Sequence, residues 1–265
     1  MGGAVKIYQV DAFADALFAG NPAAVCPLES WLADETLQAI AAENNLSETA
    51  FYVKSGDTFA LRWFTPKSEV EICGHATLAA GFVILSELEP ERAEVRFQTR
   101  KVGELAVARA GDRFRLELPA QPPKKLPAPR GLTDALGVAP TEVLQATKMM
   151  AVLESATEVA SIVPDLSWIK SLESYGLIVT APGDEGSGVD FVSRYFAPYV
   201  GILEDPVTGS AHCVLAPYWA ERLGKTNMEA RQLSARGGAL GVELRGDRVA
   251  LLGHAVLYMR GEIVL

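Results

Sequence analysis

From residue 5 to residue 118 apolar and polar positions alternate in short runs, the period-two pattern of strands with one buried face. The strands predicted are "VKIYQVDAF", "AAVCPL", "TAFYVK", "TFALRWF", "EVRFQT", "GELAVAR" and "RFRLELP". Two stretches break the alternation with helical spacing. One is "ADETLQAIAAENN", with Asp34 placed to cap it; the other is "CGHATLAAGFVIL", an apolar run that opens on a Cys-Gly-His step. "PAQPPKKLPAPRG", Pro119 to Gly131, has five prolines and no period, and reads as an interdomain linker. Beyond it come short strands and helices to about Thr180, a Gly-rich loop "APGDEGSG" and a strand "VDFVSRYFAP". A helix "GSAHCVLAPYWAERLG" and a strand-rich tail from "RQLSARGGALGVEL" to "GEIVL" complete the chain.

An internal echo organises this pattern. "RWFTP" at Arg62–Pro66 recurs as "RYFAP" at Arg194–Pro198, and each is followed by a polar loop and a glycine that opens an apolar helix. The offset is 132 residues at the arginines and 135 at Gly74 and Gly209, so the second copy carries three extra loop residues. Strand, loop and helix start in the same order twice indicate duplication. The expected division is an N-terminal half at 1–118, joined by a last strand at about 255–265, a linker at 119–131, and a C-terminal half at 132–254. Each half is expected to wrap a mixed sheet around one apolar helix.

Composition narrows the class. With 49% hydrophobic and 22% charged residues over 265 positions, the chain has ordinary globular character and enough apolar mass for one large or two small cores. Lys plus Arg is 24 against Asp plus Glu 33, a net charge of -9 without basic clusters, which argues against nucleic acid as a partner. No apolar run reaches the roughly 18 residues of a membrane helix and no signal-peptide pattern opens the chain, so no membrane partner is expected and the location expected is cytoplasmic. Three cysteines, Cys26, Cys73 and Cys213, are too few and too odd for a disulfide framework, and reduced thiols are expected.

The candidate chemistry lies at the two helix starts. A helix N-terminus leaves unpaired N–H groups and the positive end of the helix dipole, and a glycine there lets a ligand approach the backbone. If the halves face each other across a cleft, the amides at Gly74-His75 and Gly209-Ser210 converge, which suits a small carboxylate. Cys73 and His75 then stand on one side and Asp205, Thr208 and Ser210 on the other. Taken alone, His75 reads equally as a capping or packing residue, and Asp205, Thr208 and Ser210 as turn chemistry. In "ENNLSETAFYV", Ser47 and Glu48 fall at the beginning of a strand; a glutamate partly desolvated there has the character of a proton shuttle, although a solvated loop residue fits the same letters. Asn21 in "AGNPA" is a turn residue or a substrate amide. Cys213 reads as core. Walker A, GxGxxG, CxxC, HExxH and GxSxG patterns are all missing, and His75, His212 and His254 are scattered, so no metal or cofactor is expected.

"DAFADALFAGNPAAV", "NNLSETAFYV", "LRWFTPKSEVEICGHATLAAG", "SRYFAPYVGILEDPVTGSAH" and "RGGALGVEL" together resemble the phenazine-biosynthesis isomerase-like (PhzF-like) family of the diaminopimelate epimerase fold superfamily. The resemblance runs in order over nearly the whole chain. It implies an α+β fold of two pseudo-symmetric domains, each a mixed sheet or barrel around a central helix, an active site in the cleft between them, and a homodimer. By matching position, Glu48 resembles the family's proton-shuttling glutamate, and His75 and Asp205 its polar partners. Gly74, Gly209 and Ser210 resemble the shell that binds the substrate carboxylate. The implied activity is a cofactor-independent isomerisation of a small carboxylate by proton transfer. Related racemases place a cysteine at each helix start; here Cys73 is present, but the second half has "DPVTG", with Pro206 near the place expected for the other thiol. Two alternatives remain open: epimerisation by Cys73 with a non-thiol partner, and a metabolite-binding protein without turnover.

Overall fold

The computed structural model describes residues 3–172 and 174–265. The chain forms two compact units: unit 1 runs to Glu117 and resumes at Leu252, and unit 2 is Leu118–Leu251. The elements up to the first unit's end are β1 (Ala4–Ala12), β2 (Asn21–Leu28), α1 (Asp34–Asn44), β3 (Glu48–Ser55), β4 (Thr58–Phe64), β5 (Glu69–Val70), α2 (Gly74–Phe82), β6 (Glu94–Thr99), β7 (Glu104–Ala110) and β8 (Arg113–Pro119). Then follow β9 (Lys124–Lys125), α3 (Leu132–Leu136), β10 (Glu142–Gln145), β11 (Met149–Val152), α4 (Ala156–Ser161), α5 (Leu166–Lys170), β12 (Leu177–Pro182) and β13 (Phe191–Phe196). The last are α6 (Gly209–Leu223), β14 (Asn227–Gln232), β15 (Gly238–Arg245), β16 (Arg248–Gly253) and β17 (Ala255–Val264), which returns to unit 1 along β1.

The duplication extends to strand pairing. In unit 1, β1–β2 is antiparallel, β2–β3 parallel, β3–β4 antiparallel, β4–β6 parallel and β6–β7 antiparallel. In unit 2, β10 through β15 pair in the same alternation of senses. Alternate strand residues divide between two faces. Ala24, Cys26 and Phe51 pack outward with Leu37 and Ile40 of α1, while Met149, Ala151, Val179 and Phe196 pack outward with α3, α4 and α5. The opposite faces cover α2 and α6. Helix α2 is buried from His75 to Gly81, and a Cβ at Gly81 would come within 2.5 Å of Val107, so glycine is what lets the helix lie against β7. In unit 2, Trp219 of α6 stacks on Phe191 of β13 at 5.7 Å between ring centres and donates to Thr180 Oγ1 of β12 at 3.0 Å.

The repeated arginines are frame. Arg62 grips Glu69 with Nε and Nη2, both at 2.8 Å, and reaches Asp34 Oδ1 at the start of α1, also at 2.8 Å. Arg194 grips Glu204 in the same fork at 2.7 and 3.0 Å, and its Nη1 donates to the Val159 and Ile162 carbonyls at the end of α4. Each guanidinium also lies 4.9 Å from the phenylalanine two residues on, Phe64 or Phe196. The three extra loop residues appear here: the partner glutamate is seven residues after the first arginine and ten after the second.

Two expectations change. Asp34 is the first residue of α1, not its cap; Ala33 holds the cap position, and the Asp34 carboxylate turns to Arg62. The proline-rich stretch 119–131 lies within unit 2. Pro217 inside α6 has no N–H for the Cys213 carbonyl, and the Gln121 N–H takes that acceptor at 2.9 Å, which ties the stretch to the helix. Among the described residues, no helix is long and apolar enough to cross a membrane.

Arg62 is 2% exposed while Glu69 keeps 30% of its surface in water, so its removal leaves a carboxylate that solvent partly rescues. Arg62→Met is expected to cost about 2 kcal/mol, below the range for a fully buried pair. Lys54→Met, from a pair with Glu89 in which the lysine is 55% exposed, is expected to cost less than about 1 kcal/mol. Urea unfolding at neutral pH measures both, and equal costs would contradict the assignment of Arg62 to the frame.

Candidate functional site

In unit 1 the start of α2 meets the start of β3. Parallel pairing of β2 with β3 sets Ala23 beside Glu48, so Asn21, buried at the first position of β2, lies at the same end of the sheet. Gly20 makes the entry to that strand possible: its φ is +64°, and a Cβ would come within 2.2 Å of the Ala12 carbonyl oxygen. Glu48 opens β3 on the face toward α2, Ser47 precedes it, and Cys73 holds the N-cap position of α2 in an extended conformation. Gly74 begins the helix and His75 follows as its second residue.

Three of the expected residues form one buried cluster. Donor atoms of Glu48, Cys73 and His75 all lie within 4.8 Å of one another. The imidazole is strung between its neighbours: Nδ1 lies 3.5 Å from Cys73 Sγ and Nε2 lies 3.1 Å from Glu48 Oε2. The Nε2···Oε2 approach has the distance of an ion pair without the angles of a hydrogen bond, so both enclosed atoms keep bonding capacity. Burial, reinforced by Glu48, pushes the Cys73 thiol up to about 11, so it is protonated at neutral pH. For His75, burial works against the charged ring, but Cys73 and Glu48 outweigh it and hold the imidazole well above its usual value. A search for grouped imidazoles misses this set as a metal candidate, since it mixes thiol, imidazole and carboxylate. Its geometry suits one ion poorly, because sulfur and carboxylate face different nitrogens of the ring.

Unit 2 builds a different set at the start of α6. Thr208 is the N-cap, Gly209 and Ser210 form the first turn, and neither Thr208 nor Cys73 caps its own helix with its side chain. Thr208 Oγ1 donates to Asp205 Oδ2 at 2.5 Å. Gln232, which the sequence reading passed over, clamps the segment: its amide donates to the Asp205 carbonyl at 2.7 Å and accepts from the Thr208 N–H at 2.9 Å. A signal for it existed. Met228, Ala230 and Gln232 are the buried positions of β14, so a polar residue stands at an apolar phase. The place matching Cys73 is Thr208, 135 residues on and at the same N-cap position, not Pro206. A hydroxyl therefore stands where a second thiol was sought. His212, one turn in, faces the Thr208 carbonyl with Nδ1 at 2.8 Å, and burial lowers its pKa to about 4. Cys213 is core, its thiol facing the Gly209 carbonyl.

A family model described as phenazine biosynthesis-like protein matches residues 10–261. The chain belongs to that family. An uncharacterised isomerase of Pseudomonas aeruginosa is 52% identical over 98% of this chain and 99% of its own length. The crystal structure of a PhzF family protein from Enterococcus faecalis is 45% identical and superposes with a TM-score of 0.95 over 99% of this chain and all of that one. A hydroxyproline epimerase of Agrobacterium vitis shares the fold at 9% identity, with a TM-score of 0.58 over 99% of this chain and 91% of its own. The phenazine biosynthesis-like chain is thus an isomerase with an α+β, epimerase-like fold.

Two measurements probe this chemistry. Cys73 is held at about 11 and Cys26 and Cys213 at about 12, so the native protein at pH 8 is expected to show almost no rapid thiol titre with a disulfide reagent, and three thiols once denatured. A fast native thiol mapping to Cys73 would contradict the protonated state. His212 takes a proton in the unfolded chain near pH 6.5 but in the folded chain only near 4, so its contribution is whole above 6.5 and lost as pH falls toward 4. Stability is expected to decline by up to about 1.4 kcal/mol per pH unit across that window, with a flatter decline in His212→Gln, as measured by urea unfolding.

Proposed function

We propose that the protein isomerises a small carboxylic acid by moving one proton between carbons, without a cofactor, and that Glu48 is the general acid/base. The observation that carries this reading is the Glu48–His75 pair at 3.1 Å, enclosed yet not hydrogen-bonded to each other. Glu48 takes a proton from a carbon activated by the substrate's conjugated carboxylate, the C–H electron pair spreads into the π system, and Glu48 returns the proton at another carbon. No net oxidation occurs and no group leaves. His75 steadies the charge on Glu48 while it is ionised, and the free N–H groups of the first helical turn favour an anionic substrate. Asp205 and Thr208 belong to the same function on this reading, as polar contacts from the start of α6. Epimerisation through Cys73 is less well supported. A thiol held at about 11 serves poorly as a base at neutral pH, and the matching position is Thr208.

The test is exchange at carbon. Cyclic and unsaturated carboxylic acids are incubated with the protein in deuterated water and followed by NMR. Glu48→Gln is expected to reduce exchange by about 10²–10⁴-fold, the usual worth of a positioned general acid/base, with Cys73→Ser within about tenfold of wild type. Unchanged exchange in Glu48→Gln would exclude Glu48 as the proton carrier, and loss confined to Cys73→Ser would favour the epimerase chemistry.

A further inference from the structure

Lys148 is a lysine stem buried to 92% of its surface, since only 8% remains exposed, and it immediately precedes β11. It shares the face of Met150 and Val152, opposite the outward-packed Met149 and Ala151, and so points to the α6 side of the sheet. Every other interior cation described above has its carboxylate: Arg62 has Glu69 and Asp34, and Arg194 has Glu204. Among the described residues, the Lys148 ammonium has no ion pair and no hydrogen bond. Its nearest company is the Tyr195 ring, 5.8 Å from Nζ. Buried charges ordinarily come paired. Nζ is also not among the fully enclosed polar atoms, so the head of the side chain reaches solvent while the stem does not.

The pseudo-symmetry gives this position a meaning. In unit 1, Arg62 pairs with Phe51 of β3 and Phe51 with Cys26 of β2; three residues back along each strand stand Glu48 and Ala23. In unit 2, Arg194 pairs with Val179 of β12 and Val179 with Ala151 of β11; three residues back stand Gly176 and Lys148. A side chain at Gly176 is shut out, since a Cβ there would lie 2.6 Å from the Tyr195 hydroxyl. Unit 1 thus places a carboxyl group at this corner of its sheet, and unit 2 places an ammonium one strand over. Asp205 and Cys213, which bracket the first turn of α6, are the acidic groups that act on Lys148, the thiol only where it is ionised, and Asp205 donates its N–H to the Tyr195 carbonyl at 3.0 Å.

The geometry points to Lys148 as a substrate-binding residue whose ammonium pairs with a ligand carboxylate at the start of α6. This deepens the carboxylate-isomerase reading and rests on its substrate class. Burial lowers the lysine pKa while Cys213 and Asp205 oppose that shift, and a bound carboxylate would take over the stabilisation of the charge.

The experiment measures binding without turnover, by calorimetry and thermal shift, with benzoate, maleate, benzamide and inorganic phosphate as probes. A carboxylate is expected to bind wild type and Lys148→Arg, with benzamide inert, and Lys148→Met is expected to bind at least tenfold more weakly. Without ligand, Lys148→Met is expected to melt no lower than wild type, because it removes an unpaired charge; a large fall in Tm would mean that the ammonium has a partner within the protein and would overturn the assignment. Carboxylate affinity unchanged in Lys148→Met, binding of phosphate alone, or no carboxylate binding to wild type would each overturn it too. Carboxylate binding that depends on Lys148, with no Glu48-dependent exchange, would remove the proposed reaction and leave the Lys148 site standing. Exchange that depends on Glu48, with binding indifferent to Lys148, would do the reverse.

Discussion

A helix covered along its length by its own sheet has polar outlets only at its ends. Helix α2 is buried from His75 to Gly81, and α6 is buried on nearly every residue of its first three turns. Neither start carries a side-chain cap, although the first-turn N–H groups of a buried helix require acceptors. Polar side chains gather at both of these ends. Strand starts deliver Glu48 to one helix start, and a strand end delivers Gln232 to the other, whose carbonyl oxygen receives the Thr208 N–H.

The two units share a frame and differ in what they hang on it. The forked Arg–Glu pairs, the phenylalanine under each guanidinium and the alternation of strand senses are common to both. At the helix starts the units part: Cys73 corresponds to Thr208 and His75 to Ser210, while Thr77 and His212, also matched, both face back to the N-cap carbonyl. Duplication therefore preserved the way the helix end is held while the chemistry diverged. A symmetric two-thiol reaction lacks its second thiol, and an asymmetric one gains a hydroxyl already committed to a carboxylate.

Legibility in the sequence follows the same division. Period-two and helical spacing located the strands up to residue 118 and both central helices, because each of those elements has a largely apolar buried face, and the repeated "RxFxP" located the duplication. Glu48, Cys73 and His75 were legible as helix-start and strand-start chemistry, but their mutual distances were not, since parallel pairing of β2 with β3 is a long-range fact. Gln232 and Lys148 were hidden for a different reason. Gln232 closes β14 on its buried phase and Lys148 stands just before β11, places where a polar residue also reads as the edge of a loop. Asp34 was misplaced because a carboxylate at a helix start satisfies capping statistics equally well when its partner is an arginine 28 residues away. The proline-rich stretch read as linker because nothing local reveals that Pro217 frees a carbonyl for Gln121.

The protonation states in unit 1 constrain the reaction more tightly than the identities of the residues do. Three groups within 4.8 Å of one another invite three assignments of the base. Cys73, held at about 11, keeps its proton at neutral pH and is available at most as an acid. His75, raised well above its usual value by Cys73 and Glu48 against its burial, has both ring nitrogens facing neighbours. On the proposed reading Glu48 is the group whose oxygen accepts. In that reading one carboxyl group both takes and returns the proton, with the imidazole 3.1 Å from its oxygen. A glutamate alone in an apolar corner would be a better acid than base, and a glutamate in a full hydrogen-bonded ion pair would be neither. In the proposed reaction, the distance without the hydrogen bond is what lets a single side chain serve in both directions.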